Sequence, residues 1–385
     1  MENFIYDNKT KIIFGRDVEN TCAQECQKYG QRILIHYGGG SIVRSGLLDR
    51  VMSKLKEAKL EVHLLGGIVP NPRLKLVYEG IELVKKKKID LILAIGGGSV
   101  IDSAKAIALG AKYDGDVWDF FAGKAVPTDI LPLGTILTIP AAGSESSNST
   151  VITKDDGLIK RSFRNNINRP LFSFLNPTLI ATVPKKHLIA GVVDMYSHII
   201  ERYFTNVEHV LLTTELCEAG MRAIKELGPK FLKDPANYDY AAEIMWASTV
   251  AHNALFETGR IADWASHGIE HELSAEYDLS HGLGLAIIVP AWMKYVYRHN
   301  VPLFARYARK VYDVSIEDDE KAALEGIKKT QAFFESLGAE TSLVKAKVPT
   351  DKFEFLAKRA TLRGPLGQFV KLTASDIVKI YELAR

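Results

Sequence analysis

The sequence predicts an α/β N-terminal domain with a parallel, Rossmann-like sheet, followed by an all-α C-terminal domain. Three observations point there. Short apolar runs alternate with amphipathic helical patterns through the first half of the chain. Two of those runs end in glycine–serine turns, Gly38-Gly39-Gly40-Ser41 and Gly96-Gly97-Gly98-Ser99. After Val183-Pro184 the strand signals fade and long helical patterns take over. Strands alternating with helices argue a doubly wound parallel sheet, and a helix-only remainder argues a second domain.

In order, the first strand is expected at residues 32–37 (RILIHY), with a helix over 46–58 and a strand over 61–65. A helix follows over 72–84, a strand over 90–95 (DLILAI), a helix over 100–111 and a strand over 135–139. Beyond Val183, helices are expected over 191–204, 213–227, 241–253, 263–273 and 320–337. The expected domains are residues 1–183 and 184–385.

Composition narrows the function. The chain has 385 residues, 47% of them apolar, which suffices for two packed cores. Its 49 basic and 46 acidic residues nearly balance, so no nucleic-acid-binding face is indicated. The one obvious basic run, Lys85 to Lys88, ends a helical pattern, where lysines suit the helix dipole. Three cysteines, Cys22, Cys26 and Cys217, make no disulfide framework and suit a reducing compartment. No secretory signal or membrane span is evident, so a cytoplasmic location is expected.

The chemistry of the first half lies in its turns. Gly96-Gly97-Gly98-Ser99 follows an apolar strand and opens a helix. Glycines let backbone approach a phosphate, and a helix N-terminus offers free N–H groups and the positive end of its dipole. The plain alternative is a tight strand-to-helix turn, and the spacing is not the G-x-G-x-x-G fingerprint. At the first loop, an acid would grip a ribose 2′-hydroxyl and repel a 2′-phosphate. Glycines and Ser41 stand there instead, with Arg44 close behind, which favours NADP(H) over NAD(H). The turn 140–145 is either another cofactor contact or a plain loop, and Lys160 is a phosphate partner or a solvated lysine.

The second half carries acids and histidines at helical spacing. Asp194 and His198 stand at i, i+4, on one helix face, and Glu201 could orient the His198 ring. His267 and His271 repeat the spacing, and His281 follows. Asp194, His198, His267 and His281 supply one carboxylate and three imidazoles, a set suited to Fe²⁺ or Zn²⁺ with a position left for substrate oxygen. The competing reading is an acid with incidental, packed histidines. The absence of H-E-x-x-H and G-x-S-x-G leaves metalloprotease and serine hydrolase chemistry without support.

Seven segments together resemble the iron-containing (group III) alcohol dehydrogenases, nearest the butanol dehydrogenase branch. They are residues 3–15 (NFIYDNKTKIIFG), 70–72 (PNP), 96–105 (GGGSVIDSAK), 138–145 (TIPAAGSE), 191–198 (GVVDMYSH), 263–274 (DWASHGIEHELS) and 281–295 (HGLGLAIIVPAWMKY). The resemblance spans nearly the whole chain. It implies the dehydroquinate synthase-like architecture and NAD(P)(H)-linked oxidation of primary alcohols, or reduction of aldehydes, such as butanol and butyraldehyde. It implies one divalent ion, Fe²⁺ or Zn²⁺, held by Asp194, His198, His267 and His281, with His271 near the nicotinamide and helping to move the proton. It implies cofactor contacts at Gly38, Gly39, Gly40, Ser41, Asn71, Gly97, Gly98, Ser99, Asp102, Thr138 and Lys160, and a homodimer made through N-terminal strands. A zinc polyol dehydrogenase and a dehydroquinate synthase-like lyase are the rivals within the same fold, and a non-catalytic cofactor-binding protein is the rival outside enzymology. Two departures stand out. Ser146-Ser147 replaces Met-Asn, so Ser147 occupies the place of a cofactor-contacting asparagine, and His252 stands where an apolar residue is usual.

Overall fold

The computed structural model describes all 385 residues. It divides into two compact units, one of residues Asp7–Val183 with Ala236–Met245, the other of Met1–Tyr6, Pro184–Pro235 and Trp246–Arg385.

The α/β unit carries β1 (Lys11–Phe14), α1 (Cys22–Cys26), β2 (Arg32–Gly38), α2 (Ser41–Arg44), α3 (Leu47–Glu57), β3 (Glu61–Ile68) and α4 (Leu74–Lys87). It continues with β4 (Leu91–Gly96), α5 (Gly98–Ala111), α6 (Trp118–Ala122), β5 (Leu133–Leu137), β6 (Ser149–Lys154), β7 (Ile159–Arg164) and β8 (Phe172–Leu175). Six strands form one parallel sheet in the order β1-β8-β5-β4-β2-β3. β4 and β5 are buried along their whole length, which is why they read as continuous apolar runs rather than alternating ones. The four expected strands correspond to β2, β3, β4 and β5. The sequence reading lacks β1 and β8, whose four residues each are too few to show a period. It also lacks the antiparallel hairpin β6–β7, although Gly157, at φ 76°, marks its turn between two β-rich runs.

The strand order locates a reversal. From β2 the chain runs outward to β3, then crosses back to lay β4 on the other side of β2 and continues to β5. β2 and β4 are therefore neighbours, with Tyr37 opposite Ile95 at their carboxyl ends. The two glycine loops leave the sheet side by side at this switch point, the usual ligand crevice of an open α/β sheet. Below it the core is apolar. Cys22 and Cys26 are fully buried in it, and burial pushes the Cys22 thiol up to about 12.

The helical unit contains α7 (Lys185–Tyr203), α8 (Leu211–Lys233) and α9 (Tyr238–His252, its residues from Trp246 onward), then α10 (Ala265–Tyr277) and α11 (His281–Val296). It ends with α12 (Val301–Tyr312), α13 (Asp319–Ser336), α14 (Phe353–Ala360) and α15 (Ala374–Leu383). α7 is buried continuously from Leu188 to Tyr203, and α11 nearly so. A helix buried all round has no polar face, so α11 shows no amphipathic period and escapes sequence reading. Pro229 lies within α8 and Pro290 within α11, and both helices continue through them. No helix is long and apolar enough to cross a membrane.

Two glycines set the depth of α11. A Cβ on Gly282 would lie 2.0 Å from the Ala190 carbonyl oxygen, and one on Gly284 would lie 2.3 Å from Glu270 Oε1. Only glycine lets the start of α11 come this close to α7 and α10.

One buried group ties the α/β fold to pH. His36, fully buried on β2, has Nδ1 3.0 Å from the Leu65 carbonyl oxygen and Nε2 3.0 Å from Ser103 Oγ. Burial lowers its pKa to about 4. The unfolded chain, with an ordinary histidine near 6.5, then binds more protons than the folded one between pH 6.5 and 4, so stability falls as pH falls through that window. The contribution at stake is about 3 kcal/mol at most. Denaturant midpoints at pH 7 and pH 5 should show a smaller drop for His36→Gln than for the wild type, and equal drops would refute this assignment.

Candidate active site

In the helical unit, the four acid and histidine side chains singled out by spacing converge. Asp194 Oδ1 lies 3.7 Å from Nε2 of His198 and 3.9 Å from Nε2 of both His267 and His281. These distances exceed a hydrogen bond. They approach the separation of about 3.4 Å between donors that share a tetrahedral ion at about 2.1 Å. Nε2 of His267 is buried and makes no hydrogen bond. One carboxylate oxygen and three imidazole nitrogens directed at a common point fit a divalent ion of Fe²⁺ or Zn²⁺ type.

Buried carboxylates fix two of those rings. Glu201 Oε1 accepts from His267 Nδ1 at 3.0 Å, from the His267 backbone N–H at 3.0 Å and from the Ser266 hydroxyl. Glu270 accepts from His281 Nδ1 through Oε2 and from the Ser274 hydroxyl through Oε1. With Nδ1 donating, each ring carries its lone pair on Nε2, the nitrogen that faces Asp194. Burial pushes the Glu201 carboxyl up, yet the hydrogen bonds from His267 and Ser266 outweigh it and hold the group below its ordinary value. Spacing points Glu201 at His198. The fold gives it to His267, because α7 is enclosed and its i+3 position faces α10.

Rings pack around this cluster. His198 stacks on His267 with centroids 4.8 Å apart and on His252 at 4.2 Å. Trp264, left-handed at φ 63° just before α10, sets its indole edgewise to His198, His252 and His267. Arg202 lies beneath the indole, 4.6 Å from its centroid. His271 is half-buried, and its ring centroid is 5.3 Å from that of His281.

In the α/β unit, α5 begins at Gly98 directly after β4, with Gly97 as its N-cap. A Cβ on Gly97 would meet Ile139 at 3.2 Å and one on Gly98 would meet Ala142 at 3.1 Å, so the 139–142 turn packs tightly on this loop. The N–H groups of Gly98 and Ser99, in the first turn, have no intrahelical acceptor. Thr138 is buried and donates its N–H to the Gly96 carbonyl at 3.1 Å. Gly39 is exposed with open space around it, and Gly40 is left-handed at φ 104°. Arg44 folds back toward this loop, its Nη1 lying 3.4 Å from where a Gly40 Cβ would be.

Asn71 and Lys160 are buried together, with Lys160 Nζ donating to Asn71 Oδ1 at 3.0 Å. Asp102 accepts from the Ser144 hydroxyl at 2.5 Å and the Val151 N–H at 3.1 Å, and burial raises its pKa. Ser147 is 1% exposed, its hydroxyl 3.3 Å from Lys105 Nζ.

Sequence reading missed Lys105 and Glu270. Lys105 is fully buried and gives its ammonium to oxygens of Ser144, Ser147 and Ser149, pinning the 144–149 segment to α5. Its signal was a lysine inside an otherwise apolar stretch, 104–109. Glu270 likewise stands between Ile269 and Leu273 at i+3 from His267, an acid on a face that must be buried.

Comparison with known proteins agrees over the full length. A family model described as iron-containing alcohol dehydrogenase matches residues 9–177, and one described as the C-terminal part of the Fe-containing alcohol dehydrogenase family matches 188–385. The probable NADH-dependent butanol dehydrogenase 2 of Bacillus subtilis is 44% identical over 99% of both chains. The NADPH-dependent aldehyde reductase YqhD of Escherichia coli is 34% identical over 100% of both. The crystal structure of NADH-dependent butanol dehydrogenase A from Thermotoga maritima superposes with a TM-score of 0.97 at 38% identity, covering 100% of this chain and 99% of that one.

The carboxylate–imidazole pairs make a direct prediction. Glu270→Gln keeps the shape but removes the charge that holds His281 Nδ1–H. It should weaken Zn²⁺ affinity about 10- to 100-fold, read by competition with a chromophoric chelator. Unchanged affinity would mean that Glu270 does not serve the site.

Proposed function

This chain belongs to the iron-containing alcohol dehydrogenase family, and from that premise we propose that it is a metal-dependent alcohol dehydrogenase and aldehyde reductase of primary alcohols and aldehydes such as butanol and butyraldehyde. The observation that carries the reading is the convergence of three imidazole Nε2 atoms on Asp194 Oδ1, two of the rings oriented by buried glutamates.

Asp194, His198, His267 and His281 would hold Fe²⁺ or Zn²⁺, and Gly97, Gly98 and Ser99 would receive the pyrophosphate on the N-terminus of α5. When bound, the ion supplies Lewis acidity toward the substrate oxygen and the nicotinamide supplies a hydride acceptor or donor. The protein's part is to position and to move a proton. Lys105, by pinning the 144–149 segment, holds Ser144 on Asp102 and so steadies the edge of the cofactor loop. Asn71 and Lys160 present an amide and a cation together, Thr138 is tied by its N–H to Gly96, and Ser147 is tied to Lys105. His271 would take the hydroxyl proton in alcohol oxidation and return it in aldehyde reduction, as a half-buried imidazole next to His281.

The finer reading is a preference for NADP(H). Its support is the loop after β2, where Gly38, Gly39, Gly40 and Ser41 leave room and Arg44 brings positive charge, with no acid in the loop. The relatives carry both cofactors in their names, NADH at 44% identity and NADPH at 34%. A cytoplasmic homodimer completes the proposal, supported by the three free cysteines and by β1 standing as an edge strand of the sheet.

Anaerobic butyraldehyde reduction on chelated protein, resupplied with Fe²⁺ or Zn²⁺, tests the function. Turnover should depend on the metal, and His281→Ala should lose both metal and turnover. A higher kcat/KM with NADPH is expected, and NADH preference would discard the Arg44 argument while keeping the enzyme. Full activity of the chelated protein would sink the metal reading. His271→Ala should lower kcat and alter its pH profile with metal content unchanged, and an unaltered profile would remove His271 from proton transfer.

A further inference from the structure

The rings of His267 and His281 are held at Nδ1 by glutamates, whereas His198 is engaged through its face. His252 stacks on it, with centroids 4.2 Å apart and planes 26° apart. His252 ends α9 and is 8% exposed. The residue that sets the His252 ring is Arg202, which is itself 1% exposed. Arg202 Nη2 lies 2.9 Å from His252 Nδ1. Its Nη1 donates to the His198 carbonyl at 2.7 Å, and its Nε sits 3.3 Å from Glu257 Oε2. Trp264 lies over the guanidinium and meets the His252 ring edge-on at 88°.

A guanidinium only donates, so His252 Nδ1 is the acceptor and the ring proton sits on Nε2. One rigid group thus grips the His198 backbone and the His252 ring simultaneously, and the planar fork of arginine keeps the two in register. An apolar side chain at position 252 would leave that Arg202 donor without this acceptor.

We propose that His252 is a positioning residue for His198, clamped by Arg202, so that α9 contributes to metal-site geometry by ring stacking as α10 does through Glu270. The proposal rests on the metal-site reading above.

Two substitutions separate the parts of the clamp. His252→Gln keeps an acceptor for Arg202 but removes the ring, and His252→Phe keeps a ring but removes the acceptor. The apo forms of the wild type, both variants and His281→Ala would be titrated with Co²⁺, following the visible d–d bands, after near-UV circular dichroism has shown native packing. His252→Gln should bind Co²⁺ about tenfold more weakly, with shifted bands, as expected on losing an outer support of a ligand. His252→Phe should show a smaller loss in the same direction. If folded His252→Gln keeps wild-type affinity and bands while His281→Ala loses the ion, His252 has no positioning role, and wild-type values for His252→Phe would overturn the Arg202 clamp. If the wild type takes up no Co²⁺, or His281→Ala keeps it, the metal-site reading falls and this proposal with it.

Discussion

Six carboxylates in the helical unit are 4% exposed or less, and four of them, Asp194, Glu201, Asp263 and Glu270, lie on α7, on α10 or just before α10. Taking ionised carboxylates out of water costs several kcal/mol apiece unless hydrogen bonds and opposite charge compensate. Much of the helical unit reads as that compensation. Glu201 and Glu270 receive imidazole N–H groups and serine hydroxyls. Asp263 receives backbone N–H groups of Ala265, Gln368 and Phe369, which draws the 364–372 segment onto the start of α10. Asp194 Oδ1 faces three imidazole nitrogens instead, and a divalent ion held among them is the compensation its surroundings suit. The same constraint explains Gly282 and Gly284, since the glutamate–imidazole contact at His281 requires α11 to sit against α7 and α10.

Rigidity follows from the way these contacts interlock. Each of the three histidine rings at Asp194 is restrained along a second direction, His267 and His281 by carboxylates at Nδ1 and His198 by stacked imidazoles on its face. Such second contacts fix ring orientation, which is the general requirement of a preorganised metal site. A buried Arg202 beside them is tolerated because its two terminal nitrogens reach the His198 carbonyl and His252, and its charge is paired with Glu257.

The α/β unit solves a different problem, offering open backbone N–H groups at the carboxyl edge of its sheet without burying unpaired charge. It does so with N–H groups at the start of α5 and with small residues where a Cβ would press on the 139–142 turn. Its two buried lysines are both satisfied by oxygen, Lys105 by the 144–149 segment and Lys160 by Asn71. Lys105 and Asp102 stand one helical turn apart on α5 and reach the same serine, so the loop is held by a paired charge rather than by a lone one.

What the sequence determined by itself was local. β2, β3, β4 and β5, the helices between them and the helical second half were legible because periodicity and glycine punctuation are short-range signals. The i, i+4 spacing of Asp194 and His198 put two candidate ligands on one face of α7 for the same reason. Tertiary structure alone decided which residues meet. It paired β1 with β8 across most of the unit, aligned the two glycine loops by laying β4 against β2, and turned Glu201 from its own-helix histidine to His267. It brought His281 and Glu270 together and set His252 on His198, contacts of 11 and 54 residues' separation by sequence number. No helical or strand period encodes such separations. They exist because buried acids, rings and cations must find one another once water is gone.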